Sequence, residues 1–278
     1  MTGYFMHRAK CVAVGLAALI STAIFPAMAS AAQCGNDGSG FAAWVQNFKQ
    51  EASGNGISPA VLDRALSSVS YNKATIRADR GQKSFKLSLD QFMQKRGGQA
   101  IISRGKKMKQ QNAALFTSIE QRFGVPAGPL IAIWGMETGF GSYMGSQHTM
   151  SAVSTLAYDC RRSEYFTDQL YAALQLVSEG YLSPQARGAA HGEIGQTQFL
   201  PRNVVRYGAD GDGDGRIDMV GSRADALAST ANFLKGHGWR AGAGYQPGEP
   251  NFVAIQGWNA AAVYQQAIAY IGQQIDGN

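Results

Sequence analysis

The sequence predicts a mainly α-helical protein. Three observations carry this. Apolar residues recur at three- and four-residue spacing along most of the chain. Helix-opening patterns such as Ser58-Pro59 and Ser222-x-x-Asp225 precede several of those stretches. Sustained period-two alternation is absent apart from short pieces, which leaves room for at most a small hairpin.

The first segment reads as an export address. His7, Arg8 and Lys10 make a basic start, Val12 to Ala27 carries no charge, and two small-x-small triplets follow, Ala27-Met28-Ala29 and Ala29-Ser30-Ala31. That order predicts a secretory signal over residues 1–32, cut shortly before Cys34. A membrane anchor, the competing reading, calls for a longer apolar run. Lipidation calls for a small residue directly before the cysteine, and Ala-Ala-Gln precedes Cys34. The expectation is a free, soluble protein with no membrane anchor. Residues 33–278, roughly 246 of them, suit one large domain or two lobes around one cleft.

Beyond Cys34 the elements follow in order. Phe41 to Ala52 is an amphipathic helix. Ser58 and Pro59 supply an N-cap and a first-turn proline for Ala60 to Val69. Ser70 to Ser84 is polar and reads as a loop. A third helix spans Phe85 to Arg96, and Gln99 to Phe123 is one long helix or two joined, closed by Gly124. Pro126 opens a helix in which Leu130-Ile131-Ala132-Ile133-Trp134 is apolar all round, so it belongs inside the protein. Helices are further expected over Thr149 to Tyr158, Ser163 to Gly180, Ile194 to Tyr207 with an interruption at Pro201, Ser222 to His237, and Asn259 to Ile275.

Charge excludes some partners. The formal net charge is +6, and loss of Arg8 and Lys10 with the signal leaves about +4. No Lys/Arg cluster interleaves with aromatics, so nucleic acid is not the expected partner. The run Lys106-Lys107-Met108-Lys109 reads as a solvated helix face. Cys11 leaves with the signal, and Cys34 and Cys160 remain. In an exported protein these two are expected to pair, the alternative being two free thiols.

Asp210-x-Asp212-x-Asp214-Gly215-Arg216-Ile217-Asp218 follows the first nine positions of an EF-hand loop, here residues 210–221. Oxygens alternate, Gly215 makes the sharp turn, and the Arg216 carbonyl would serve at position seven. Position twelve is Gly221, so the bidentate acid is missing. A structural Ca2+ is the expected occupant, with a solvated acidic turn or another ion as alternatives. His7, His148, His191 and His237 make no metal pattern, which argues against a zinc amidase.

Gly135-Met136-Glu137-Thr138-Gly139-Phe140-Gly141 is the most informative stretch. Glu137 ends a helix whose other residues prefer a dry environment. Desolvation raises a carboxyl pKa, and a carboxyl still protonated near neutral pH can donate to a leaving oxygen. A capping or ion-paired glutamate is the alternative.

Five ordered motifs carry a resemblance. They are Phe123-Gly124-Val125-Pro126; Ile133-Trp134-Gly135-Met136-Glu137-Thr138-x-Phe140-Gly141; Arg161-Arg162-Ser163-Glu164-Tyr165-Phe166; Gly195-Gln196-Thr197-Gln198-Phe199-Leu200-Pro201; and Asp225 to Leu234 with Gly238-Trp239. From about residue 41 onward the chain resembles lytic murein transglycosylases of the membrane-bound-type B family. The resemblance implies a lysozyme-like helical fold with two lobes flanking a glycan-binding cleft. It implies a periplasmic enzyme, monomeric, that acts on peptidoglycan strands with no cofactor for catalysis. Glu137 would be the single acid/base, cutting between N-acetylmuramic acid and N-acetylglucosamine to leave a 1,6-anhydro end.

By the same resemblance Arg161, Arg162, Tyr165, Gln196, Gln198, Asn232, Trp258 and Asn259 would contact substrate. An intramolecular ion pair with Glu164 or Asp159 is the alternative for at least one of the arginines. Asn232-Phe233 stands where relatives often carry Asn-Tyr, so a phenol contact is lost. The segment Arg240 to Gly257 is shorter than in many relatives and should leave the cleft more open at one end. Glu193 stands where many relatives have a small residue. It reads as a surface residue, with a second acid or an acetamido ligand as alternatives; in the cleft it would favour ordinary hydrolysis. The competing functions are a muramidase-type hydrolase and a non-catalytic glycan-binding protein.

Overall fold

The structure, a computed structural model, describes residues 1–2, 32–81 and 87–277. The signal read over residues 1–32 therefore lies almost wholly outside the described residues. No helix among the described residues is long and apolar enough to cross a membrane.

Helix α1 (Phe41–Gly54) buries Phe41, Trp44, Val45 and Phe48 on one face, as its spacing predicts. Helix α2 (Pro59–Leu66) opens on Ser58, whose hydroxyl accepts the Val61 N–H. The polar stretch expected to be a loop contains a helix instead, α3 (Lys73–Arg80). Its mean hydropathy is low, but Asn72 caps it by accepting from Ala74 N and Thr75 N, and Thr75, Ile76 and Asp79 still form a buried face. A buried polar face is not legible as apolar periodicity.

Helix α4 (Leu89–Arg96) begins with a reciprocal Ser88–Gln91 capping box, later than the expected Phe85 start; residues 85 and 86 lie outside the described residues. The long stretch that follows is two helices, α5 (Gly98–Gln111) and α6 (Ala113–Phe123). Asn112 breaks them, its amide turned back onto the Met108 carbonyl. Helix α7 (Ala127–Thr138) buries eleven of its twelve residues, Glu137 being the exception. Each of Leu130, Ile131 and Ile133 contributes about 2 kcal/mol by leaving water, so the position of α7 is fixed by packing.

A two-stranded antiparallel pair, β1 (Gln147–His148) with β2 (Arg187–Gly188), is long-range and not a hairpin. Between its strands run α8 (Thr149–Tyr158) and α9 (Ser163–Glu179). The expected helix from Ile194 forms only from its proline, as α10 (Pro201–Tyr207). Before it, Ile194 and Phe199 exchange backbone hydrogen bonds across a tight turn. Helix α11 (Arg223–Gly236) starts at Ser222, which accepts from Asp225 N, though the Asp225 carboxylate does not reciprocate. The expected closing helix forms as α13 (Ala262–Asp276), and a short helix that was not expected, α12 (Phe252–Trp258), precedes it from inside the Gly/Pro-rich segment.

The helices sort into two lobes. In one, α8 packs on α9, with α1, α2 and α3 around them. In the other, α7 lies against α13, α5, α6 and α11. Helix α10 touches both α9 and α11. Cys34 and Cys160 form a disulfide with a Cα–Cα distance of 4.9 Å, flanked by backbone bonds from Gly35 N to Tyr158 O and from Cys160 N to Gly35 O.

Candidate active site

Three consecutive residues after Glu137's helix, Gly139, Phe140 and Gly141, have positive φ (57°, 65° and 75°). Phe140 is strained there and is held by its ring, which packs edge-on against Trp134 and under Arg104. The Thr138 hydroxyl accepts from Gly141 N and donates to the Gln196 carbonyl at 2.6 Å. The turn that ends α7, next to Glu137, is thereby tied to the 195–199 segment.

Glu137 lines a cleft of about 350 Å³ together with Glu193, Gln198, Asn203, Trp258 and Asn259. Its Oε1 accepts the Trp258 indole N–H at 3.0 Å and the Tyr264 hydroxyl at 2.8 Å. Burial pushes Glu137 up; the two hydrogen bonds and the Arg96 charge oppose this, and the Glu193 charge adds to it. The balance lies above the usual carboxylate value. Burial and the adjacent Glu137 hold the Tyr264 phenol well above its ordinary value, so it remains a donor. Trp258 is fixed by ring contacts to Phe199 and Phe233. Arg96 donates to the Met136 carbonyl and lies over the Tyr264 ring.

Gln198, at a positive φ of 57°, spends its NH2 group on the Met144 and Gly195 carbonyls. Its carbonyl oxygen is the end left to accept from a bound ligand. Asn259 accepts from Ala261 N through Oδ1.

Several residues expected to contact substrate are engaged within the protein. Gln196 is buried, accepts from Trp134 Nε1 at 3.1 Å and donates to the Val220 carbonyl at 3.1 Å. Both ends of its amide are used internally, so it braces the wall. Asn232 donates to the Tyr207 carbonyl and does not line the cleft. Arg161 and Arg162 both pair with Asp79, which is 2% exposed, and not with Glu164 or Asp159. The Asp159 carboxylate takes Arg80 instead. Tyr165 is half exposed on the Glu193 side, its ring edge-on to Phe166.

Glu193, expected at the surface, is in the cleft. Its Oε2 accepts the His191 backbone N–H at 2.9 Å, and its Oε1 lies 3.0 Å from His191 Nδ1. Burial pushes Glu193 up, but these His191 contacts together outweigh it, and its carboxyl lies below the usual value. Tyr264, Arg96, Asn203 and Asp79 were not found by sequence reasoning. Tyr264 and Asn203 sit on ordinary amphipathic helices, and Asp79 lies in the stretch read as a loop.

The acidic loop draws Asp210, Asp212 and Asp214 together, one carboxylate oxygen from each lying within 4.8 Å of the others. Asp210 is held below its usual value by the N–H groups of Gly215 and Gly213. This is an all-oxygen set of the kind a hard cation takes. Asp218 is not in the group. Its Oδ1 accepts from Val220 N and Gly221 N and closes the next turn. The Arg216 side chain reaches the Gly180 carbonyl. Beneath the loop, buried Asp225 accepts from Gly211 N and Asp218 N.

A larger cavity of about 550 Å³ lies between Lys109, Glu120, Tyr245 and Asp276. Its Asp276 is already paired with Lys109 at 3.0 Å and with the Tyr245 hydroxyl at 2.8 Å. The smaller cleft is the one that holds Glu137, the carboxyl that burial biases toward its protonated form, and it is the candidate site.

The chain is 35% identical over 140 residues to membrane-bound lytic murein transglycosylase B of Escherichia coli, an alignment covering 47% of this chain and 38% of that protein. It thus spans well under half of that relative's length. The crystal structure of SltB3 from Pseudomonas aeruginosa, in complex with NAG-anhNAM-pentapeptide, superposes with a TM-score of 0.80 at 29% identity, covering 87% of this chain and 80% of that one. The Escherichia coli lytic transglycosylase Slt35, in complex with calcium, shares the fold with a TM-score of 0.75 at 23% identity, covering 88% and 96%. The family model of the transglycosylase SLT domain matches residues 40–248, well over half of the chain, and the chain belongs to that family.

Proposed function

We propose that this protein is a lytic transglycosylase that cuts the β-1,4 bond between N-acetylmuramic acid and N-acetylglucosamine in peptidoglycan and leaves 1,6-anhydromuramyl ends. The observation that carries the reading is the condition of Glu137. It is a carboxyl at the dry end of α7, biased toward its protonated form, facing a cleft and oriented by two donors. The relative SltB3 was crystallised with a glycan of the NAG–NAM type bearing a stem peptide, and that ligand class suits this cleft's amide lining.

Glu137 protonates the bridging oxygen as the muramyl C1–O bond breaks. The carboxylate so formed is stabilised by the Trp258 N–H and the Tyr264 O–H, which strengthen as charge develops. Glu137 then takes the proton of the C6 hydroxyl while that oxygen bonds to C1, and no water is consumed. The Gln198 carbonyl oxygen and the Asn259 NH2 group, the ends not used within the protein, would accept from and donate to the acetamido groups. Arg161 and Arg162 act on the glycan only indirectly, by fixing the wall that carries His191.

Asp210, Asp212 and Asp214 would hold a calcium ion, with the Arg216 carbonyl in support. Bound there, the ion supplies positive charge that relieves carboxylate repulsion and braces the loop between α10 and α11. The enzyme works in the periplasm as a monomer on this reading. The basic-then-apolar N-terminus and the Cys34–Cys160 pair support export.

The test is mass spectrometry of soluble products from purified peptidoglycan treated with the wild type and with Glu137→Gln. Anhydromuramyl ends from the wild type alone support the reading. Hydrated ends alone, or full activity in Glu137→Gln, overturn it.

A further inference from the structure

The lyase reaction described above uses one carboxyl, and the cleft contains two. Glu193 lines the same cleft as Glu137 but is prepared for a different task. Two contacts to one residue, His191 N at 2.9 Å and His191 Nδ1 at 3.0 Å, set the orientation of its carboxylate and keep it ionised. Each of its oxygens retains a second lone pair.

The support behind His191 is extensive. Its Nε2 is buried with no hydrogen-bond partner and lies 3.7 Å from Asp79 Oδ1. Asp79 is in turn neutralised by Arg161 and Arg162. The imidazole is thus held from both sides, by Glu193 at Nδ1 and by Asp79 beyond Nε2.

The backbone under Glu193 is equally set. Gly192 has φ +89°, and a Cβ there would meet Val153 Cγ2 at 2.3 Å. A Cβ on Gly188 would meet the Glu193 carbonyl at 1.9 Å, and that carbonyl accepts Ala189 N. Such preparation exceeds what a solvated surface glutamate needs. Two carboxyl groups in one cleft, one biased to keep its proton and one biased to lose it, are the acid–base division used to hydrolyse glycosides.

We infer that Glu193, positioned by His191, is the base for a second, hydrolytic outcome in the same cleft. The inference rests on the lyase reading for its substrate and for Glu137 as acid. In this branch a water oxygen bonds to the muramyl C1 as the C1–O bond to the leaving sugar breaks. The leaving oxygen takes the Glu137 proton, and the water gives one proton to Glu193. Proton exchange with solvent then returns Glu137 to its acid form and Glu193 to its base form. One water is consumed per cut, and the new end is a hydrated, reducing muramic acid.

The experiment is digestion of purified peptidoglycan in 18O-water, with the ratio of 18O-labelled hydrated ends to anhydro ends read by mass spectrometry. The wild type should give both kinds of end. Glu193→Gln keeps the size and loses the base, and should lower the ratio about 100-fold, as loss of a general base does. His191→Ala, which leaves Glu193 in place but unheld, should lower it less. Anhydro ends alone from the wild type, or an unchanged ratio in Glu193→Gln, overturn the inference and leave the lyase reading standing. Hydrated ends alone from the wild type overturn the lyase reading and keep the base. Loss of both products in a folded Glu193→Gln protein, checked by circular dichroism, overturns the inference by assigning Glu193 to the lyase step.

Discussion

Tyr264 donates a 2.8 Å hydrogen bond to the Glu137 carboxylate from a position 127 residues further along the chain. The bond is made because α7 and α13 pack along one another in the core. It favours the ionised state of Glu137, whereas burial favours the protonated one. A group that must first give and then take a proton needs both influences in near balance.

Removing the phenol should upset that balance. Tyr264→Phe should lower the cleavage rate roughly 100-fold, the scale of losing one donor to a developing charge. It should also move the alkaline limb of the pH–rate profile upward, because Glu137 then holds its proton more tightly. Rates measured across pH on one batch of peptidoglycan check both.

Glu137→Gln should abolish cleavage and raise the melting temperature at pH 7. The sign follows from linkage. Glu137 is raised in the folded state, so its protonated form contributes stability that is present below about 4.5 and lost as pH rises through the folded value. Glutamine has no such loss. The difference in melting temperature between variant and wild type should therefore grow from pH 4 to pH 7.

Arg162→Ala should act on stability before it acts on binding. Asp79 is buried, and removing one guanidinium leaves its charge undercompensated, at a cost of about 3 kcal/mol. Denaturant titration should show the loss, and Asp79→Asn introduced into Arg162→Ala should recover part of it. A change in KM with no change in stability would return Arg162 to the substrate.

Chelation should lower the melting temperature without lowering the initial rate below the melting range. An ion present at 100 times its dissociation constant stabilises by about 2.7 kcal/mol. Asp212→Asn should remove the chelator's effect, because Asp212 is one of the three gathered carboxylates.

Much of this architecture was legible in the residues. The all-apolar run before Glu137 announced a buried helix, and α7 is that helix. Ser58 and Ser222 marked helix starts through local chemistry that does not depend on the rest of the fold. What escaped was decided at long range. Nothing near Gln196 says that Trp134 and Val220 will use both ends of its amide. Nothing near Arg161 says that its partner is Asp79. Helix α3 escaped because its buried face holds Thr75 and Asp79 beside Ile76, and a hydropathy pattern counts polar residues as solvent-facing.

The Cys34–Cys160 bond ends immediately before Arg161 and Arg162, the residues whose charges settle Asp79 behind His191. Its closure removes chain freedom worth about 4–5 kcal/mol in the entropic account. In a reducing compartment that anchor is missing at the root of the wall that presents Glu193. In an oxidising one it is made as the chain folds. The thiol–disulfide environment thus decides whether the wall behind Glu193 is anchored at its root.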